Sequence, residues 1–155
     1  MLKIAQAETR EQIQAVRLLF VEYGESLGFS LCFQSFDQEL AGLPGDYTPP
    51  SGRLLLVESD GQVAGCVALH RLDDGVCEMK RLYVRPSFRG QKIGLALANA
   101  VIAEARATGY TRMRLDTIAA SMKEAVAMYR ALGFVEIPPY RPNPIESALY
   151  MELKL

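Results

Sequence analysis

A short basic and glycine-containing segment, RPSFRGQKIG, precedes a long apolar run of the chain. Between Met79 and Lys92 there are five basic residues and no acidic residue, the basic ones being Lys80, Arg81, Arg85, Arg89 and Lys92. Gly90 and Gly94 let the backbone approach a ligand closely, and N–H groups that lead into a helix bind anions. The segment therefore predicts a site for a multiply charged anion, the alternative being a solvated basic face beside an ordinary loop.

Two common phosphate-binding motifs do not fit this loop. Its glycine spacing is not G-x-G-x-x-G, and the preceding strand belongs to an antiparallel meander, which disfavours a dinucleotide fold. No G-K-[ST] is present, so a Walker loop fits still less well.

A meander and one crossover must position the loop. Three largely apolar segments separated by turn residues predict strands joined by tight turns, namely 53–59, 63–72 and 76–84. The run from Ile93 to Ala107 predicts a buried helix that Gly109 ends, and Tyr110 to Thr117 predicts the next strand. A strand, helix and strand in this order indicate parallel pairing with a right-handed connection.

The remaining elements surround this unit. Thr9 to Gln12 forms a capping box that opens a first helix, which ends near Gly24 or Gly28. Ser121 and Gly133 are the expected ends of a late helix. The other predicted elements are a strand at 1–6, a short helix at 36–43 and closing strands at 134–137 and 148–153.

Composition limits the class of protein. The chain has 155 residues, half of them hydrophobic, which predicts a single domain over 1–155. A net charge of -1 gives no general attraction to nucleic acid or membrane, and no signal peptide or spanning segment is seen, so a cytoplasmic location is expected. Cys32, Cys66 and Cys77 lack metal-site spacing and are expected to be buried thiols, with no metal site.

Three segments together resemble one family. RGQKIG followed by LALANAVIAEA is similar to the acyl-CoA pyrophosphate loop of the GNAT N-acetyltransferase superfamily, Q/R-x-x-G-x-G/A, with Arg89 first and Gly94 last. EMKRLYVRP resembles the family's fourth strand, and AVAMYRALGF its late helix and strand. Lys92 replaces the usual central glycine, and Met122 replaces a common asparagine. The loop is expected to remain intact with Lys92 if the backbone of this residue keeps helical dihedrals.

The resemblance implies an α+β fold and a cosubstrate. The fold is a mixed, mostly antiparallel sheet of six to seven strands with about four helices and one parallel crossover at the cofactor loop. The cosubstrate is acetyl-CoA, whose pantetheine amides bond the main chain of Leu82 to Val84 in a cleft where the fourth and fifth strands separate. The implied contacts are Leu82, Tyr83, Val84, Arg89, Gly90, Gln91, Lys92, Ile93, Gly94, Leu95, Ala125, Met128 and Tyr129.

The implied reaction is acetyl transfer from acetyl-CoA to a primary amine by direct attack. An alkyl amine has a pKa of about 10.4, so its neutral form costs about 4 to 5 kcal/mol at pH 7 and a base helps. Glu78 matches the family's base, the alternative being a surface partner of Lys80 or Arg81; Asp116 and His70 are weaker candidates. Tyr129 matches the donor to the leaving thiolate, the alternative being a core aromatic.

The acceptor is a small-molecule or peptide amine. The segments that border the acceptor side carry aromatic and acidic residues, which suit a cationic small molecule and equally suit a peptide amine. These residues are Phe29, Phe33, Phe36, Tyr47 and Tyr140 with Asp37, Glu39, Asp46 and Glu146. A non-catalytic acyl-CoA sensor or a partner-binding domain is the alternative function. Homodimerisation is a further expectation, and no nucleic-acid or membrane partner is expected.

Overall fold

A computed structural model describes residues 1–27, 35–119 and 122–155. Its strands are β1 (Leu2–Gln6), β2 (Arg53–Ser59), β3 (Gln62–Asp73), β4 (Val76–Val84), β5 (Arg112–Ile118), β6 (Val135–Ile137) and β7 (Ala148–Lys154). Its helices are α1 (Arg10–Ser26), α2 (Phe36–Ala41), α3 (Ile93–Thr108) and α4 (Lys123–Leu132), with short 3-10 turns at Gly45–Tyr47 and Pro86–Phe88. The predicted elements are confirmed, with boundaries that move by one or two residues.

The strands form one mixed sheet in the order β1-β2-β3-β4-β5-β7-β6. Within the described ranges, β4 and β5 are the one parallel pair, and the neighbouring strands on either side are antiparallel. Because α3 connects β4 to β5, the predicted crossover is confirmed, and so is the α+β fold class.

Helices cover both faces of the sheet. On one face, α3 and α4 bury Leu97, Val101 and Tyr129 against the strands. On the other face, α1 buries Leu19 and Phe20. Each fully buried side chain of this size contributes about 1.5 to 3 kcal/mol of transfer free energy, so packing on both faces fixes the position of the strands.

The capping signals predicted for the starts of α1 and α4 have different outcomes. The α1 capping box is confirmed, because the Gln12 amide donates to Thr9 Oγ1 at 3.1 Å and the Thr9 amide donates to Gln12 Oε1 at 3.0 Å. The N-cap of α4 is Met122, which caps without a side-chain hydrogen bond, so the predicted N-cap at Ser121 is wrong by one residue. Ser121 itself lies outside the described residues.

Two of the three cysteines are described, and both are buried free thiols as expected. Cys77 pairs in register with Arg71, and Cys66 pairs with Tyr83, so the antiparallel register keeps the two thiols apart. Burial raises the pKa of the Cys77 thiol to about 12, which makes it unreactive at neutral pH. Cys32 lies outside the described residues.

Candidate active site

The sheet opens between β4 and β5. The two strands pair only from Val76 to Glu78 and from Arg112 to Arg114, and they separate beyond those residues. Opposite this opening, the β3–β4 register shifts between the pairs Cys66–Tyr83 and Ala68–Lys80, so β4 carries an extra residue there. Within the bulge Arg81 has a φ of 59°. The bulge and the separation together expose the β4 backbone along one edge.

A cleft of about 840 Å³ occupies the opening. Its walls include every residue predicted to contact the cofactor except Gln91, that is Leu82, Tyr83, Val84, Arg89, Gly90, Lys92, Ile93, Gly94, Leu95, Ala125, Met128 and Tyr129. Tyr23 of α1 and Tyr129 of α4 also line it, although these helices cover opposite faces of the sheet. The cleft therefore passes through the sheet from one face to the other.

The basic loop forms one end of the cleft. The N–H groups of Ile93, Gly94 and Leu95 lie in the first turn of α3 and have no carbonyl partner within the helix. Arg89 Nε donates to the Val84 carbonyl at 3.0 Å, which ties the loop to β4. These free N–H groups and the positive end of the helix dipole favour an anion at this end.

Lys92 differs from the expectation. It is the N-cap of α3 with φ 61° and ψ 24°, a left-handed conformation, so the helical dihedrals on which the expectation for the loop depended are not present. The position needs the backbone that glycine adopts most easily, and a side chain there costs about 1 to 2 kcal/mol. The loop still leads directly into the first turn of α3 with lysine at this position.

Tyr129 lies on the α4 side of the cleft. Its side chain is buried, and its ring packs on Phe134 with the centroids 5.6 Å apart. The hydroxyl makes no hydrogen bond to any residue that the structure describes. Burial raises the pKa of Tyr129, so the hydroxyl stays protonated and is free to donate a hydrogen bond. Its catalytic role stays a prediction.

Glu78 is not a surface residue, so the alternative of a surface ion pair with Lys80 or Arg81 is wrong. Its side chain is 0% exposed and accepts hydrogen bonds from His70 Nε2 at 2.7 Å, the Tyr140 hydroxyl at 2.6 Å and Arg141 Nη2 at 2.7 Å. Burial alone would raise the pKa of Glu78, but the bonds from His70 and Arg141 outweigh it and lower the pKa to about 2. A carboxylate held in this way is a weak base at neutral pH.

Asp116 on β5 has a different environment. It lines the cleft with 12% of its side chain exposed. Its Oδ2 lies 3.7 Å from Arg141 Nη1, and both atoms are buried without a hydrogen-bond partner in the described part of the chain. Burial, and then the negative charge of Glu78, raise the pKa of Asp116, although Arg141 opposes them. Asp116 is therefore the better proton acceptor of the two carboxylates.

Lys80 connects the cleft to a second cavity of about 330 Å³, because it lines both. In the described ranges its ammonium makes no ion pair with a carboxylate and no hydrogen bond. Burial, and then the charge of Arg81, lower the pKa of Lys80, while Glu78 opposes them. The second cavity lies between α2, the turn that follows it, His70 and Lys80.

The expected aromatic and acidic lining for a cationic acceptor is largely engaged in internal contacts. Tyr47 is buried in the core, Tyr140 donates to Glu78, and Phe36 lies under the Arg81 guanidinium at 5.1 Å. Glu39 accepts two hydrogen bonds from Arg81, at 2.8 and 2.9 Å. Glu39, Asp46 and Tyr47 nevertheless line the second cavity. Asp37, Asp46 and Glu146 are exposed, and Phe29 and Phe33 lie outside the described residues. A role of this set in binding the acceptor stays a prediction.

Arg141 was missed by the sequence reasoning, and it joins Glu78 to Asp116. Its one signal is its position as the single basic residue of the PPYRPNP segment. Tyr150 anchors this segment, because its hydroxyl donates to the Arg141 carbonyl at 2.9 Å. Arg141 is distant in the sequence from Glu78 and Asp116, so spacing along the chain does not indicate its contacts with them.

The comparisons with known proteins agree with this fold. The model of the acetyltransferase (GNAT) family matches residues 14–134. An uncharacterized N-acetyltransferase of Schizosaccharomyces pombe is 38% identical over 156 residues, which cover 99% of this chain and 95% of that protein. The chain therefore belongs to the GNAT acetyltransferase family, and the resemblance found in the sequence is confirmed.

Solved structures share the fold. An acetyltransferase from Streptococcus agalactiae superposes with a TM-score of 0.80 at 22% identity, covering 99% of this chain and 98% of that one. The PaiA N-acetyltransferase of Thermoplasma acidophilum, solved in complex with coenzyme A, gives a TM-score of 0.75 at 17% identity, covering 100% and 99% of the two chains. At these identities the likeness shows the fold.

Two further observations concern the described residues alone. None of their helices has both the length and the apolar character needed to cross a membrane. No group of three or more histidine, cysteine, aspartate or glutamate side chains in this part of the chain is arranged to hold a metal ion.

Proposed function

We propose that this protein transfers the acetyl group of acetyl-CoA to a primary amine of a small molecule or peptide. The observation that carries the proposal is the cleft through the sheet, with the basic loop at one end and Tyr129 and Asp116 beside the strand opening. Two reactants that enter the cleft from opposite faces of the sheet meet in the opening between β4 and β5. Family membership, and the coenzyme A bound by a protein of the same fold, support acetyl-CoA as the donor.

The cosubstrate occupies the α3 end and the exposed edge of β4. Its pyrophosphate accepts from the free N–H groups of the first turn of α3, and Arg89 and Lys92 add positive charge. The main chain of Leu82 to Val84 bonds the pantetheine amides in the manner of an added strand. Ala125 and Met128 of α4 form the opposite wall.

In the reaction, the amine nitrogen forms a bond to the thioester carbon, the carbon–sulfur bond breaks, and the thiolate of coenzyme A leaves. Tyr129 donates a hydrogen bond to the sulfur as negative charge develops on it. A tyrosine with a raised pKa does not transfer its proton completely, because a thiol at about 8.5 is the stronger acid. The thiolate takes up its proton as the product leaves.

We assign the proton acceptor to Asp116 and a positioning role to Glu78. Asp116 lines the cleft and has a raised pKa, whereas Glu78 is held by three donors away from the cleft wall. Glu78 accepts a hydrogen bond from Arg141 and so fixes its position. The Arg141 guanidinium then lies 3.7 Å from Asp116, with no hydrogen bond between the two groups. Asp116 then remains available to a proton from the amine, directly or through one water.

An amine panel tests the proposal. With acetyl-CoA present, at least one class of amine should cause release of free coenzyme A thiol and gain an acetyl group by mass spectrometry. Acetyl-CoA bound without turnover of any amine would instead indicate a sensor. Gly94→Glu and Gly94→Ala serve as a matched pair of variants. A Cβ at Gly94 would lie 3.8 Å from Val84 Cγ2, an ordinary contact, so the site has room for alanine. Alanine should preserve the rise in Tm caused by coenzyme A, and glutamate should abolish it.

A further inference from the structure

The charged side chains on the α1 side of the cleft fall into two groups. Glu78 and Arg81 have hydrogen-bonded partners of opposite charge, Arg141 and Glu39 respectively. Lys80 and Asp116 line the same cleft, but neither makes a hydrogen bond within the described residues. Asp116 forms an ion pair with Arg141 at 3.7 Å without a hydrogen bond, so its carboxylate can still accept a hydrogen bond from a ligand, while Lys80 has no ion-pair partner among the described residues.

Both of these side chains point to the face that carries α1. Glu78 and Lys80 alternate with Met79 along β4, and Met79 packs in the core under α3 and α4. Asp116 alternates with the buried Leu115 on β5 in the same way. Since successive side chains of a strand point to opposite faces, Lys80 and Asp116 lie across the strand opening from Tyr129. This is the face from which the acceptor reaches the thioester.

Leaving an ammonium partly buried without an ion-pair partner is costly, because desolvation favours its neutral form and the charges of Glu78 and Glu39 only partly oppose this effect. A ligand with a carboxylate next to Lys80 removes that cost. Asp116 offers the complementary contact, because its carboxylate accepts from an amine. The second cavity begins at Lys80, so a group attached beside the carboxylate has room there.

We infer that the acceptor is an amino acid, whose amine contacts Asp116, whose carboxylate contacts Lys80, and whose side chain extends into the second cavity between Lys80, His70 and Tyr47. The inference rests on the proposed function, because it names the substrate class of the same site. Simple alkyl amines have no negatively charged group to contact Lys80, so the inference predicts that they are poor acceptors.

The experiment compares amino acids with their carboxamides, which keep the size and lose the charge. For the best amino acid, kcat/KM should exceed that of its carboxamide by about tenfold to a hundredfold, the usual range for a hydrogen bond to a charged group. Lys80→Gln should bring this ratio close to one, and Lys80→Arg should keep part of it. Lys3→Gln, on the exposed part of β1, is the matched control and should retain the full ratio.

A ratio near one in the wild type, or a ratio that Lys80→Gln leaves unchanged, overturns the inference. If no amine is acetylated, the proposed function fails, and calorimetry decides the inference separately. The amino acid should then bind the coenzyme A complex of the wild type more tightly than that of Lys80→Gln. Equal binding of amino acid and carboxamide to the wild-type complex contradicts a carboxylate site at Lys80.

Discussion

At the scale of single residues, the environments of two carboxylates support the proposed assignment of the base. Glu78 and Asp116 both lie beside the strand opening, but hydrogen bonds lower the pKa of the first, and burial raises the pKa of the second. A general base is most effective when its pKa lies near the working pH. The raised pKa of Asp116 therefore suits the proposed base, and the lowered pKa of Glu78 suits it less. The family resemblance ranked Glu78 above Asp116, but the pKa values of both carboxylates depend on contacts, such as those of Glu78 with His70 and Arg141, that spacing along the chain does not indicate.

Asp116→Asn should lower kcat/KM by about 10² to 10⁴ at neutral pH, the range expected for loss of a general base. It should also remove the acid limb of the pH profile, because that limb reports ionisation of the base. Glu78→Gln should lower activity less and keep the acid limb. A profile that loses its acid limb in Glu78→Gln, and not in Asp116→Asn, would return the base to Glu78.

Tyr129→Phe tests the donor to the thiolate. The hydroxyl has no other hydrogen-bond partner among the described residues, so folding stability should change by about 1 kcal/mol or less. If the hydroxyl meets the sulfur, kcat should fall by about 10² to 10³, with little change in acetyl-CoA affinity. Steady-state kinetics and calorimetry measure the two quantities. Equal turnover of the two proteins would show that Tyr129 is only a core aromatic.

At the scale of elements, the entry to α3 depends on one left-handed residue. Lys92 has a left-handed backbone conformation, which glycine adopts without the steric cost of a Cβ. Lys92→Gly should be more stable than Lys92→Ala by about 1 kcal/mol, because alanine pays the steric cost of a positive φ and glycine does not. Chemical denaturation measures the difference. A more stable alanine variant would indicate helical dihedrals instead.

The elements themselves were predictable from the sequence. Regular apolar spacing, the Thr9 capping box and the turn residues are local signals, and they gave the strands, the helices and the parallel crossover. The left-handed conformation of Lys92 was not predictable, because φ at one residue is set by the loop as a whole. The position of Arg141 next to Glu78 and Asp116 was not predictable, because it depends on how the segment after β6 folds over the sheet.

At the scale of the whole molecule, the buried Glu78 links stability to pH. Its pKa is 4.5 in the unfolded chain and about 2 in the folded protein, so it stabilises the fold above pH 4.5. This contribution, roughly 3 kcal/mol, is lost as the pH falls from 4.5 towards 2. The unfolding free energy of Glu78→Gln should therefore depend less on pH across that window. Parallel curves for both proteins would contradict the low pKa.

The opening between β4 and β5 has a consequence for the backbone. Leu82 to Val84 have no β5 partner on one side, so amides that face the opening should exchange hydrogen rapidly in the free protein. Coenzyme A should slow this exchange, while Val76 and Cys77, already in the parallel ladder, should show no change. Hydrogen–deuterium exchange by NMR measures both regions, and equal protection with and without ligand would contradict the added-strand contact.

A sheet completed by its own cosubstrate is most resistant to proteolysis when that cosubstrate is abundant, so the lifetime of the protein in a cell should follow the supply of acetyl-CoA.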